Sequence, residues 1–189
     1  MDRREALKQT AFLLGGAITA STWAAVVTGC QRPGNITSFT EEGTLNLLSE
    51  VAETILPETD TPGAKEAGVG PFIAMMLQDC YEEEDQKLVL DGLTELNKRS
   101  KEEFGDVFTE TSAENRTTLL TIIDKERIAY NKDKKGEDPP HYFTLIKELT
   151  ITGYFTSEPG ATQALRYVPV PGRYDGCIPY NEGDKIWAT

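Results

Sequence analysis

The stretch Glu41–Cys80, EEGTLNLLSEVAETILPETDTPGAKEAGVGPFIAMMLQDC, decides the fold. Leu45, Leu48, Ala52 and Ile55 recur at helical spacing on one face and Pro57 stops the run, which predicts a helix over about 41–55 capped by Ser38 or Thr40. Pro57–Gly70 is a loop of turn formers. Pro71, at a first helical position, opens a second helix carrying Phe72, Ile73, Met76, Leu77 and Cys80. The same period continues downstream. Glu82, Glu83, Glu84 and Asp85 sit where a helix N-terminus favours negative charge, ahead of a helix to about 103 with Leu88, Leu93 and Leu96 inside. Thr111 and Glu114 have capping-box spacing before a helix over about 113–130 with Leu119, Leu120, Ile122, Ile123 and Tyr130. After the charged loop NKDKKGEDPP, a fifth helix from near Pro140 carries Phe143, Ile146, Leu149 and Tyr154. No segment before residue 165 alternates with period two over a useful length. The reading is a mainly α protein: a single bundle of about five to six helices with an irregular C-terminal arm, rich in Pro, Gly and aromatic residues, over 166–189.

That arm is too proline-rich for a helix and too apolar for a disordered tail, so it needs a surface. It either closes over its own bundle or offers Tyr167, Tyr174, Tyr180 and Trp187 to an interface, where aromatic residues act as anchors.

At the other end, MDRREALKQTAFLLGGAITASTWAAVVTGCQ reads as an export signal. Arg3, Arg4 and Lys8 resemble the twin-arginine pattern, with Ala6 where that pattern prefers a large apolar residue, and an uncharged run follows. The run closes on Val27-Thr28-Gly29-Cys30, which resembles a lipobox. A lipidated Cys30 would anchor the mature chain to a membrane. The competing reading is a retained transmembrane helix, which the run's Gly and Thr residues make only modestly hydrophobic. The expected organisation is a signal peptide over 1–29, a tether over 30–39 and one helical domain over 40–189, in a periplasmic or cell-surface lipoprotein.

Without residues 1–29 the chain holds 16 basic and 29 acidic residues. A net charge of −13 offers no basic stripe for nucleic acid. About 160 residues suffice for one domain with a sizeable core. Motifs for chemistry are missing from the sequence: there is no CxxCH, GxGxxG after a strand, Walker A or GxSxG. His141 is the sole histidine and follows two prolines, which suits a solvent-facing or helix-capping side chain better than a metal ligand. No catalytic, cofactor-binding or metal-ligating residue is predicted. Cys80 and Cys177 have three open fates: a disulfide with each other, bonds to a partner chain, or free buried thiols.

Two segments go further. ETILPETDTPGAKEAGVGPFI (Glu53–Ile73) and LTITGYFTSEPGATQALRYVPVPGRYDGCIPY (Leu149–Tyr180) resemble the gluconate 2-dehydrogenase subunit 3 family, the small subunit of membrane-associated flavin dehydrogenases. The resemblance implies a non-catalytic subunit without a redox cofactor of its own. Its partner would be a large FAD-carrying subunit of the glucose-methanol-choline type, which oxidises sugars or sugar acids and often passes electrons to a c-type cytochrome. The small subunit would act as export escort, stabiliser and membrane anchor. Gly153, Tyr154, Phe155, Thr156, Ser157, Glu158 and Gly160 then form a contact surface or the turn on which it depends. Read as structure alone, Tyr154 and Phe155 belong to the core and Ser157 with Glu158 caps a short helix through Leu165. Asp60–Gly63 is an interface loop or a tight turn. Outside the family, a stand-alone lipid-anchored carbohydrate- or protein-binding module is the alternative.

Overall fold

The computed structural model describes residues 36–136, 138–170, 172–173 and 176–188, and they are mainly helical. Arg3, Arg4, Lys8, Cys30, the tether up to residue 35 and Tyr174 lie outside the described residues. Five α-helices follow in order: α1 Glu42–Ile55, α2 Val69–Cys80, α3 Glu83–Phe104, α4 Ala113–Asp133 and α5 Tyr142–Thr156. A π-helical turn, Gly160–Ala164, leads into β1 Arg166–Tyr167, which pairs in parallel with β2 Trp187–Ala188. Among the described residues no helix is long and apolar enough to cross a membrane.

α5 organises the bundle. Its sequence, YFTLIKELTITGYFT, is apolar on most sides, and it packs against all four other helices. Phe143, Ile146, Leu149 and Tyr154 are buried as the periodicity predicts, with Leu145 beside them. Thr150, fully buried, is satisfied locally because its hydroxyl donates to the Ile146 carbonyl at 2.7 Å.

Around α5 the predicted helices hold, with rotations and small shifts. The buried face of α1 is Thr44, Leu47, Leu48, Val51 and Ala52, while Leu45 and Ile55 sit on its flank. The centre of the expected stripe is shifted accordingly, and Leu45 and Ile55 pack partly buried at the edge of the core. The axes of α1 and α2 come close at Gly70: a Cβ there would fall 2.7 Å from the Ser49 nitrogen. Neither Ser38 nor Thr40 caps α1. Its N-cap is Glu41, with no side-chain bond, and Ser38 Oγ accepts the Thr40 N–H instead.

Pro71 is the third residue of α2, still within the turn whose N–H groups lack helical partners. The cap of α4 is Ser112, whose Oγ accepts the Asn115 N–H at 3.3 Å. Thr111, predicted as the cap, is drawn inward and buried. α3 keeps its acidic first turn and ends at Gly105, whose φ of 89° suits glycine and lets its N–H reach the Lys101 carbonyl.

Candidate functional site

The two motif segments, about ninety residues apart in sequence, meet in space. The Tyr154 hydroxyl at the end of α5 donates to the Pro62 carbonyl at 2.7 Å and lies 3.2 Å from Thr61 Oγ1. Directly before Tyr154, Gly153 faces Phe72 of α2 so closely that a Cβ would strike the ring. The loop between α1 and α2 is also pinned from α1. Glu53 accepts the Glu58 N–H at 3.0 Å through one carboxylate oxygen and the Lys65 N–H at 2.8 Å through the other. A Cβ at Gly63 would overlap that carboxylate, so the loop closes around it. Glu50 adds ion pairs to Lys65 and to Arg116 of α4. Burial pushes the Glu50 carboxyl up, yet the hydrogen bonds from Lys65 and Arg116 outweigh it and hold the group below the usual carboxylate range. The tip, Pro57–Asp60, is left exposed on a fixed base.

The chain turns sharply after α5. Ser157 Oγ donates to the Tyr154 carbonyl at 2.6 Å and accepts the Gly160 N–H at 3.2 Å. Ser157 thus caps both sides of the break, as its reading as a cap predicts, although the short helix beyond it is π-helical and spans Gly160–Ala164. Gly160 is required there, because a Cβ would overlap the Tyr154 carbonyl.

Of the predicted contact residues, Gly153 and Tyr154 are interior, whereas Phe155, Thr156 and Glu158 are exposed and Ser157 is half-buried. Phe155 is 37% exposed and stands edge-on to the Tyr154 ring at 5.3 Å.

The arm rises from the π-helical turn and closes on itself. Arg166 pairs with Trp187 and Tyr167 with Ala188 in the parallel bridge. The Arg166 guanidinium lies 4.0 Å from the Trp187 ring centroid, and the Arg166 backbone N–H donates to the Ile186 carbonyl at 2.8 Å. Lys185 Nζ donates to the Gln163 carbonyl, and a turn over Asn181–Asp184 is held by the Asp184 N–H donating to the Asn181 carbonyl at 3.0 Å and the Asn181 N–H donating to the Asp184 carboxylate at 2.9 Å. The arm does not bury its apolar side chains in the bundle: Tyr167, Val170, Ile178, Tyr180, Ile186 and Trp187 all remain exposed. Cys80 and Cys177 are free thiols, both exposed.

Two other features complete the surface. His141 caps α5, its Nδ1 accepting the Phe143 N–H at 3.2 Å, and its ring stacks on Tyr142 at 4.8 Å. Burial holds His141 below the usual imidazole range, Arg127 adding to the effect and Glu126 opposing it. A shallow trough of about 430 Å³ between α1, α4 and α5 is bordered by Ile55, Leu120 and Ile128. The hydroxyls of Thr54, Thr117 and Thr121 on its walls donate to carbonyls of their own helices. Among the described residues no group of three or more His, Cys, Asp or Glu side chains is placed to hold a metal ion.

Several of these residues escape sequence reasoning. Glu53 accepts two amides of the following loop, Lys185 bonds the Gln163 carbonyl and Arg166 meets Trp187, and no local period marks any of them. Val170, Ile178 and Ile186 are visible in sequence as isolated aliphatic residues in a proline-rich tract; the aromatic residues alone drew attention.

Fold and junction together define a small helical bundle that presents a pinned loop and a self-closed apolar arm. Residues 42–172 match the family described as gluconate 2-dehydrogenase subunit 3, and the chain belongs to that family. The first segment falls wholly within the match and the second as far as Gly172, where the match ends, so the return of the arm lies beyond it. Membership relates the chain to a subunit of a gluconate 2-dehydrogenase complex and implies association with the other subunits. Neither a curated protein nor a solved structure is found to match it.

Proposed function

We propose that this chain is the non-catalytic small subunit of an exported FAD-dependent dehydrogenase complex, with a large subunit of the glucose-methanol-choline type that oxidises a sugar or sugar acid. The family match carries this reading. In it, the chain holds no redox cofactor, the flavin belongs to the partner, and electrons leave through a c-type cytochrome. The leader with Arg3, Arg4 and Lys8 serves both subunits: a partner without its own signal crosses the membrane folded and bound to this one. Cys30 then carries the lipid that anchors the exported pair to a membrane, in the periplasm or at the cell surface.

Stabilisation follows from mass action. A chain that binds only the folded partner adds about 2.7 kcal/mol when it is present at about 100 times its Kd. The pinned loop and the Ser157 turn favour such a role, because groups fixed before binding lose little entropy on docking.

A mild-detergent pull-down from the native membrane tests the reading, with the affinity tag inserted at the exposed loop beside Gly136. A stoichiometric flavin-containing partner, lost from the exported fraction when Arg3 and Arg4 become lysines, is the expected result. A colourless monomer would refute it and favour the stand-alone binding module.

A further inference from the structure

We propose that the closed arm over 166–187 is the element that grips the dehydrogenase subunit, docking Val170, Ile178, Tyr180 and Ile186 against an apolar surface of that subunit. The inference rests on the accessory-subunit reading above.

Exposure is the first support. Five large hydrophobic residues are exposed across the whole described bundle, whereas six are exposed within the arm alone. That concentration exceeds the scattered apolar exposure normal on a monomer and marks an interaction surface.

Charge supplies the second. Residues 30–165 hold 13 basic and 26 acidic side chains, while residues 166–189 hold three of each. The net negative charge of the mature chain therefore belongs to the body, and the arm is neutral. Interface centres are enriched in aromatic side chains, and the 24 residues of the arm hold four of them, Tyr167, Tyr174, Tyr180 and Trp187. The same partition argues against a second copy as the occupant, since arm-to-arm pairing would bring two strongly acidic bodies together.

Closure is the third. The parallel bridge, Arg166 over Trp187, and Lys185 on Gln163 hold the two ends of the arm together without any partner. An arm already closed loses less conformational entropy when it docks.

The complex from native membranes provides the test, read as flavin absorbance recovered per mole of this chain. Ile178→Asp with Tyr180→Asp should reduce recovery at least tenfold while the circular-dichroism melt stays at the wild-type position. Wild-type recovery should be the same at about 0.1 and about 1 M salt, across which the screening length falls from about 10 to about 3 Å. Glu83→Lys with Glu84→Lys, on the acidic body, should leave recovery unchanged. Hydrogen exchange gives a readout independent of any variant: amides of 176–188 should be slowed in the wild-type complex relative to the free chain. Full flavin recovery by the arm variant, or exchange unaltered by the partner, overturns the docking assignment and leaves the accessory reading standing. A wild-type chain that recovers no flavoprotein overturns both. An arm variant that changes only self-association assigns the surface to a second copy and overturns the proposal.

Discussion

Replacing Tyr154 with phenylalanine removes one oxygen from the junction of the two motif segments and leaves the ring in place. The residue is 5% exposed, and its hydroxyl is the donor to the Pro62 carbonyl at 2.7 Å. A net hydrogen bond is worth about 0.5–1.5 kcal/mol, rising to about 1–3 kcal/mol when the remaining partner stays short of solvent. Pro62 is half-buried, which places the expected cost at about 1–2 kcal/mol. In a domain of this size each kcal/mol moves Tm by about 2–4 °C, so the variant should melt about 2–8 °C lower. Tyr154→Ala also opens a cavity and should cost about 3–5 kcal/mol. Thermal melts followed by circular dichroism measure both. Limited trypsin digestion reports on the loop directly, because Lys65 sits in it and is exposed. Cleavage after Lys65 should rise about fivefold to thirtyfold in Tyr154→Phe, the factor that corresponds to about 1–2 kcal/mol. A variant with wild-type melting and wild-type cleavage would show that the hydroxyl does not tie the loop to α5, and the junction as described would fall.

The remaining expectations concern packing and pH. Gly70→Ala should cost about 1–3 kcal/mol in a chemical denaturation curve, because its Cβ meets not only the Ser49 hydroxyl but also the Ser49 backbone nitrogen and Cα, which cannot rotate away. Gly43→Ala, in α1 with open space around its Cβ, should instead stabilise by about 0.5–1 kcal/mol. Glu50 is depressed in the folded state, so its contribution is complete above the unfolded value of 4.5 and fades as pH falls through the lower folded value. Glu50→Gln should lower Tm near neutral pH and flatten the acid side of the Tm–pH curve. His141 is also depressed, so its contribution is complete above 6.5 and is lost as pH falls, when a protonated Nδ1 no longer accepts the Phe143 N–H. His141→Asn keeps a capping acceptor and should abolish that part of the pH dependence, which the same titration checks.

Helical periodicity made most of the bundle legible. Phe143, Ile146, Leu149 and Tyr154 could be assigned to the core because α5 is apolar on most sides, so small errors in its rotation still point inward. α1 is amphipathic on a narrower stripe, and there Leu48 and Ala52 are buried while Leu45 and Ile55 pack at the edge of the core. Capping signals were legible to within one residue: Thr111 and Ser112 both carry a hydroxyl, and the burial of one left the other at the helix mouth. The two motif segments were also recognisable as a family signature before their contact was known, and residues 42–172 bear that family out.

The site itself was only half readable. Ser157 announced itself as a cap because its partners, Tyr154 and Gly160, are three residues away on either side. Glu53 did not, since the amides it holds belong to a loop whose path no local rule fixes. The two-residue strands that close the arm are too short to show a period at all.

By itself the sequence determined what depends on neighbours along the chain: five helices, their approximate ends, the break after α5, the acidic body with its neutral arm, and the family. Tertiary structure decided what depends on neighbours in space. It centred the buried face of α1 on Val51 with Ile55 at the edge of the core, joined Tyr154 to Pro62, and left the arm closed on itself with its apolar side chains outward. Periodicity fixes which residues share a face, but only the packing of the other helices selects the direction that face takes. A bond between residues 62 and 154 exists only once both elements have been placed by the core between them.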